Sequence, residues 1–161
     1  MSIEKVRAYF KSQGIEDRIQ EFDVSSATVE LAAQAVGVEG ARIAKTLSFK
    51  LGDKVLLIVC AGDAKVDNRR YKDRFGGKAS MLSHDEASTL VGHAVGGVCP
   101  FAVNEGVEIY LDESLRRFAT IFPAAGSSNS AIELNCDELE RYSGGTWVDV
   151  CKAWRPDEQE V

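Results

Sequence analysis

Histidine is nearly absent from this 161-residue chain, with two in all, and its four cysteines stand far apart. Cys60, Cys99, Cys136 and Cys151 have no paired spacing, which argues against a zinc site and against a disulfide framework. Long apolar runs are missing as well. No stretch approaches the roughly 20 residues that span a bilayer, and Met1–Phe10 carries Glu4, Lys5 and Arg7 where a signal peptide needs an apolar core. These absences predict a soluble, cytoplasmic protein with no membrane partner, metal or cofactor. With 45% hydrophobic residues, the chain can bury one substantial core, so a single domain over residues 1–161 is expected.

The net charge of −6 is unevenly distributed. From Arg42 to Lys78 there are ten Lys and Arg against four Asp, and the remainder carries nine basic against twenty-one acidic residues. Overall acidity disfavours a general duplex-DNA binder. The basic run Lys65–Lys78 could still meet an RNA phosphate backbone through Arg69, Arg70 and Lys72, or could be an ordinary solvated helix face.

Within this basic region, Ile43–Leu51 alternates in character. As a strand, it places Ile43, Lys45, Leu47, Phe49 and Leu51 on one face and Ala44, Thr46, Ser48 and Lys50 on the other. Lys45 is thus an ammonium among hydrophobes. Such a group needs a partner or a ligand pocket, unless its stem snorkels to water at the strand end or a bulge shifts the register.

The other elements interleave. Helices are predicted over Ile3–Gln13, over Thr28–Val36 with Thr28 as its cap, and over Asp67–Phe75 ending at Gly76-Gly77. Ser83-His-Asp-Glu86 forms a capping box for a helix ending at Gly92, with His84 an exposed helix-start residue, and Asn135 with Glu138 caps another ending near Gly144-Gly145. Strands are predicted at Ile19–Val24, Arg42–Leu51, Lys54–Ala61, Val107–Leu111, Phe118–Pro123, Ser130–Leu134 and Thr146–Val150, with a hairpin turn at Gly52-Asp53. Several connections are too short for repeated right-handed crossovers. The expected fold is α+β, a mixed and mostly antiparallel sheet or open barrel with helices outside.

Two small-residue loops stand out. In Gly92–Phe101, Gly96 and Gly97 permit close backbone approach, Pro100 fixes the exit, and several N–H groups could converge on one oxygen; a plain tight turn fits as well. Ala124–Ser130 holds Gly126, Ser127, Ser128 and Asn129, which could border a ligand or satisfy their own backbone. Cys99 with His93 as base is a possible thiol nucleophile, although a cysteine beside Pro100 and Phe101 is more often inert packing.

Ala44-Lys45-Thr46-Leu47, Gly96-Gly97-Val98-Cys99-Pro100-Phe101, Phe118-Ala119-Thr120-Ile121-Phe122, and Gly126 followed by Ala131-Ile132-Glu133-Leu134 occur in this order. In these segments the chain resembles the YbaK-like aminoacyl-tRNA deacylases, related to the editing domain of bacterial prolyl-tRNA synthetases. The resemblance runs from about Ile19 to Cys151. It implies hydrolysis of the ester that joins a wrong amino acid to the terminal adenosine of proline tRNA or a related tRNA, with the acceptor end and a synthetase as partners.

By the same resemblance, Lys45 holds the acceptor end, amides of Gly96, Gly97, Val98 and Cys99 stabilise the oxyanion, Pro100 shapes that loop, and Thr46 borders the pocket. The nucleophile is a water or a group of the substrate. In the branch that clears cysteine from proline tRNA, the second loop is basic and an aspartate precedes the Ile-Glu-Leu stretch. Ser127-Ser128 and Ala131 stand there instead, which favours a small amino acid such as alanine, serine, threonine or a related non-protein residue. A non-catalytic module that binds tRNA or a synthetase through the same pocket is the alternative.

Overall fold

The computed structural model describes residues 2–94 and 96–155. Helix α1 (Ser2–Ser12) buries Val6 and Phe10, the pair that its periodicity sets on one face. Phe10 meets Phe101 edge-on with ring centroids 4.8 Å apart, so α1 closes over the exit of the Gly–Pro loop. Burying side chains of this size contributes about 1.5–3 kcal/mol each.

Strands β2 (Ile43–Leu51) and β3 (Lys54–Ala61) form the expected antiparallel hairpin, and Gly52 at the turn has a φ of 60° that suits glycine. The all-apolar β3 is central, between β2 and β5 (Glu108–Asp112). The five-stranded sheet runs β6 (Phe122–Pro123), β2, β3, β5, β8 (Thr146–Val148). Only β2–β3 is antiparallel in it; the other three pairings are parallel. Two short antiparallel sheets lie beside it, β1 (Ile19–Glu21) with β7 (Ser130–Ile132) and β4 (Lys65–Val66) with β9 (Cys151–Lys152). With the long hairpin and the two short sheets taken together, most paired positions are antiparallel, and the fold is the mixed α+β architecture that the pattern predicts.

Cross-strand register confirms the alternation. Lys45 faces Cys60, Leu47 faces Ile58 and Phe49 faces Leu56 on one side of the sheet, while Thr46 faces Val59 and Ser48 faces Leu57 on the other. The first side joins the main core, where Tyr71 of α3 (Asn68–Phe75) stacks against Phe49. Leu57, on the second side, packs in a smaller cluster with Leu82, Ala87 and Val91.

The expected caps form. Thr28 accepts from Leu31 N at the start of α2 (Val29–Val36), whereas Asp67, predicted as the first residue of α3, is instead its cap and accepts from Arg69 N and Arg70 N. Ser83 and Glu86 make a reciprocal capping box on α4 (His84–Glu86), as Asn135 and Glu138 do on α5 (Cys136–Ser143). Beyond α4 the chain widens into a π turn over Ala87–Val91 before Gly92 ends it. Several predicted strands are shorter than expected, Ser130–Leu134 among them, which pairs over Ser130–Ile132 with Leu134 left to an isolated bridge. Ile19–Val24 pairs only over Ile19–Glu21, and Phe118–Pro123 reduces to β6 plus a bridge between Ile121 and Leu134. Thr146–Val150 stops at Val148, since the buried Asp112 carboxylate accepts from Val150 N at 2.9 Å and from Ser114 N at 2.9 Å.

Candidate functional site

The outer edge of β2 is paired at two places. β6 runs parallel to it at Ile43 and Ala44, and residues 80–82 run antiparallel to it at its far end, where Lys50 N donates to Ser80 O at 2.8 Å and Leu82 N to Ser48 O at 3.1 Å. Between them the neighbours diverge, one at Ala124 and the other into the capping box at Ser83. A cavity of about 490 Å³ occupies this opening, a volume ordinary for small-molecule sites. Its walls are largely apolar. Lys45, Thr46 and Leu47 of β2, Gly96 and Val98 of the glycine loop, and the start of α2 from Thr28 to Ala32 meet there.

Lys45 is half-buried in this wall, and its ammonium donates a long 3.4 Å hydrogen bond to Gly62 O just past the end of β3. Among the described residues this is its one hydrogen bond, and no carboxylate pairs with it. An ammonium needs more donors' worth of acceptors than one carbonyl gives, so an anionic or carbonyl ligand in the cavity could complete its shell. Lys50, on the opposite face, is tied to Glu86 by an ion pair.

The glycine loop is held from behind. A Cβ on Gly97 would come within 2.8 Å of Ser127 Cα, so the two small-residue loops pack backbone to backbone. Gly96 has a φ of 93° and lies over Ser128 and Ala27. Gly97 N donates to Ala94 O at 3.0 Å, so its amide is consumed in the turn. Among the described residues, the amides of Gly96 and Val98 have no such partner and belong to residues of the cavity wall. Pro100 is buried and closes the loop.

Cys99 lies behind the loop in the core, fully buried, and does not line the cavity. Sequence reasoning pairs it with His93, and the two do meet, Sγ 3.6 Å from Nε2. The geometry is unsuited to a nucleophile. Nε2 also lies 2.7 Å from Phe101 O, which can only accept, so that nitrogen carries the proton and cannot serve as base for the thiol. Burial pushes the Cys99 thiol up to about 12 and holds His93 below its usual range.

Gly126, Ser127, Ser128 and Asn129 are in the second loop as expected, yet none lines the cavity. Their polar groups are spent on one another and on the segment before α2. Ser127 Oγ donates to Ser130 Oγ at 2.7 Å, Asn129 Nδ2 to Phe22 O at 3.0 Å, and Ser128 O accepts from Ser26 N at 2.7 Å. They are a brace behind the glycine loop. Ser130 and Ala131, just beyond them, do reach the wall.

Sequence reasoning missed two walls. Ser26–Val29 with Ala32, and Met81, Leu82, His84 and Ala87, border the cavity through tertiary packing that no local motif announces. His84 and Met81 are exposed at its margin. Of the basic helix residues, Arg69 and Lys72 are exposed, whereas Arg70 is half-buried and donates to Cys151 O at 2.5 Å. Arg70 therefore anchors β9 to α3. No cluster of three or more His, Cys, Asp or Glu able to hold a metal occurs among the described residues, and no described helix is long and apolar enough to cross a membrane.

A strand-edge cavity between a lysine and a glycine loop has the size and the largely apolar wall of a small-molecule pocket. Residues 23–142 match the aminoacyl-tRNA editing domain, and the chain belongs to that family. It is 53% identical to the uncharacterized protein YwhH of Bacillus subtilis (strain 168), over 96% of this chain and 99% of that one. It is also 25% identical to the proline–tRNA ligase of Bacillus cereus (strain AH820) over 112 residues, which is 68% of this chain but only 20% of the ligase. Among solved structures, a candidate trans-editing enzyme for prolyl tRNA synthetase superposes with a TM-score of 0.84 at 28% identity, covering 92% of this chain and 96% of the other. The hypothetical protein APE2540 superposes with a TM-score of 0.83 at 27% identity, over 92% and 99%. These matches support a role in aminoacyl-tRNA editing.

Proposed function

We propose that the protein hydrolyses the ester of mischarged aminoacyl-tRNA in trans, removing a small amino acid from proline tRNA or a related tRNA. The observation that carries this reading is the cavity itself. In a chain of the editing family, it brings Lys45 and Thr46 of β2 into one wall with Gly96 and Val98.

The reaction asks little of the protein, because an aminoacyl ester is activated by its own ammonium and by the neighbouring ribose hydroxyl. Lys45 positions the acceptor end through the terminal phosphate or the carbonyl region. The Gly96 and Val98 amides face charge that develops on the carbonyl oxygen as the tetrahedral intermediate forms. Water adds to the carbonyl carbon, the bond to the ribose oxygen breaks, that oxygen leaves as a hydroxyl, and the amino acid departs as a carboxylate with one proton released to solvent. A substrate group can take the place of water in the first step. Cys99 has no part in it, being buried and protonated.

Selectivity for a small amino acid rests on Ala131, which lines the cavity. One methylene in an apolar pocket is worth only about 1–3 kcal/mol, so discrimination among small residues would be modest. A panel of mischarged tRNAs, incubated with purified protein, tests the proposal. Release of a small amino acid is the expected result; saturable binding without release would instead make the protein a non-catalytic module.

A further inference from the structure

Thr46 lies in the gap between the two partners of β2's outer edge, and its backbone is aimed into the cavity. Ser48 O and Lys50 N point outward to residues 80–82, and strand periodicity then directs the N–H and C=O of Thr46 to the same edge. β6 stops pairing at Ala44, and residues 80–82 stop at Ser48. Thr46 therefore has no partner strand on that edge among the described residues. Its side-chain Oγ1 is also buried without a hydrogen-bond partner there. A half-buried edge with an unpaired donor and acceptor is a cost that a native sheet normally avoids.

The missing rung has a definite chemical shape. In an antiparallel hydrogen-bonded pair, one residue exchanges both bonds with one residue opposite, N–H to C=O and C=O to N–H. An aminoacyl ester carries the same two groups on one α-carbon, an ammonium that donates and a carbonyl that accepts. We infer that the aminoacyl group of the substrate binds as a single-residue rung of the sheet, its α-ammonium donating to Thr46 O and its ester carbonyl accepting from Thr46 N–H. Residues opposite each other in such a pair project their side chains to the same face. The amino-acid side chain thus lies beside that of Thr46, where the orphan Oγ1 is. Thr46 N–H also joins Gly96 and Val98 as a donor to the carbonyl oxygen that becomes charged.

This assignment rests on the proposed deacylase reading, and its test separates the two. The probes are 3′-alanylamino-3′-deoxyadenosine, a non-hydrolysable amide, and its propionyl counterpart, which lacks the α-ammonium. Binding to the full chain is measured by calorimetry, with wild type and with a semisynthetic protein in which Thr46 is replaced by its α-hydroxy acid, removing the N–H alone. Loss of either hydrogen bond, one of them to a charged donor, should weaken binding about tenfold, and Thr46→Val should weaken it less. Equal affinity for the two probes overturns the rung even if the semisynthetic protein fails to fold, and leaves deacylation of tRNA standing. Failure of both probes to bind, together with no release from any aminoacyl-tRNA, removes the deacylase reading and the rung with it.

Discussion

Cys99 Sγ lies 3.6 Å from His93 Nε2, a spacing that suggests a catalytic pair, yet both groups are buried in the core away from the cavity. The Phe101 carbonyl fixes the imidazole proton on the nitrogen nearest the thiol. Replacing Cys99 with alanine should leave deacylation within about threefold of wild type while costing about 1 kcal/mol in stability for the small void. Deacylation measured from pH 6 to 9 should give overlaying profiles for the two proteins. A thiol nucleophile would instead appear as near-complete loss in the variant.

Gly97 packs backbone to backbone against the second small-residue loop, with Ser127 Cα 2.8 Å from where a Cβ would stand. Gly97→Ala must push Gly96 and Val98 in the cavity wall. We expect a loss of about 1–3 kcal/mol in stability by urea unfolding, as overpacking typically costs, together with lower kcat. Serine at position 127 carries the brace through Ser130, so Ser127→Ala should lower kcat by less than Gly97→Ala does.

Glu138 is held down to about 2, first by the Arg18 side-chain hydrogen bonds at 2.8 and 3.0 Å and also by its bond from Asn135 N. A carboxyl lowered in the folded state adds stability that is present above its unfolded value near 4.5 and is lost as pH falls toward 2. Glu138→Gln should therefore cost about 1 kcal/mol at pH 7, reduced by solvent screening, and almost nothing at pH 2. Denaturant midpoints at the two pH values check this. Equal differences at both would assign the loss to packing.

How much of this was legible in sequence follows from the range of the forces involved. The β2 alternation, both capping boxes and the Gly52 turn are set by neighbours a few residues away, and each formed as expected. The two-residue strands β4 and β9 were missed, because each exists only through its distant partner. Lys45 and the glycine loop were legible as candidates. The Ser26–Ala32 and Met81–Ala87 walls were not, since what recruits them is a gap between two strand partners. Gly126–Asn129 fall outside the cavity wall, a placement that composition could not foretell, because a small polar loop that binds a ligand and one that binds its own backbone look alike in sequence.

The basic face of α3 separates in the same way. Arg69 and Lys72 are exposed, while Arg70 is committed to Cys151 O. Arg69→Gln with Lys72→Gln should weaken tRNA binding and reduce the slope of log affinity against log salt by about 1–2. Arg70→Gln should chiefly lower thermal stability. An unchanged salt slope in the double variant would make this face a solubility feature.

Lys45 carries the central claim, and single-turnover deacylation of mischarged tRNA tests it most directly. Lys45→Ala should fold normally and lose at least about a hundredfold in rate, comparable to removing one transition-state donor, whereas Lys50→Ala should stay within about twofold. Full activity in Lys45→Ala would contradict the account.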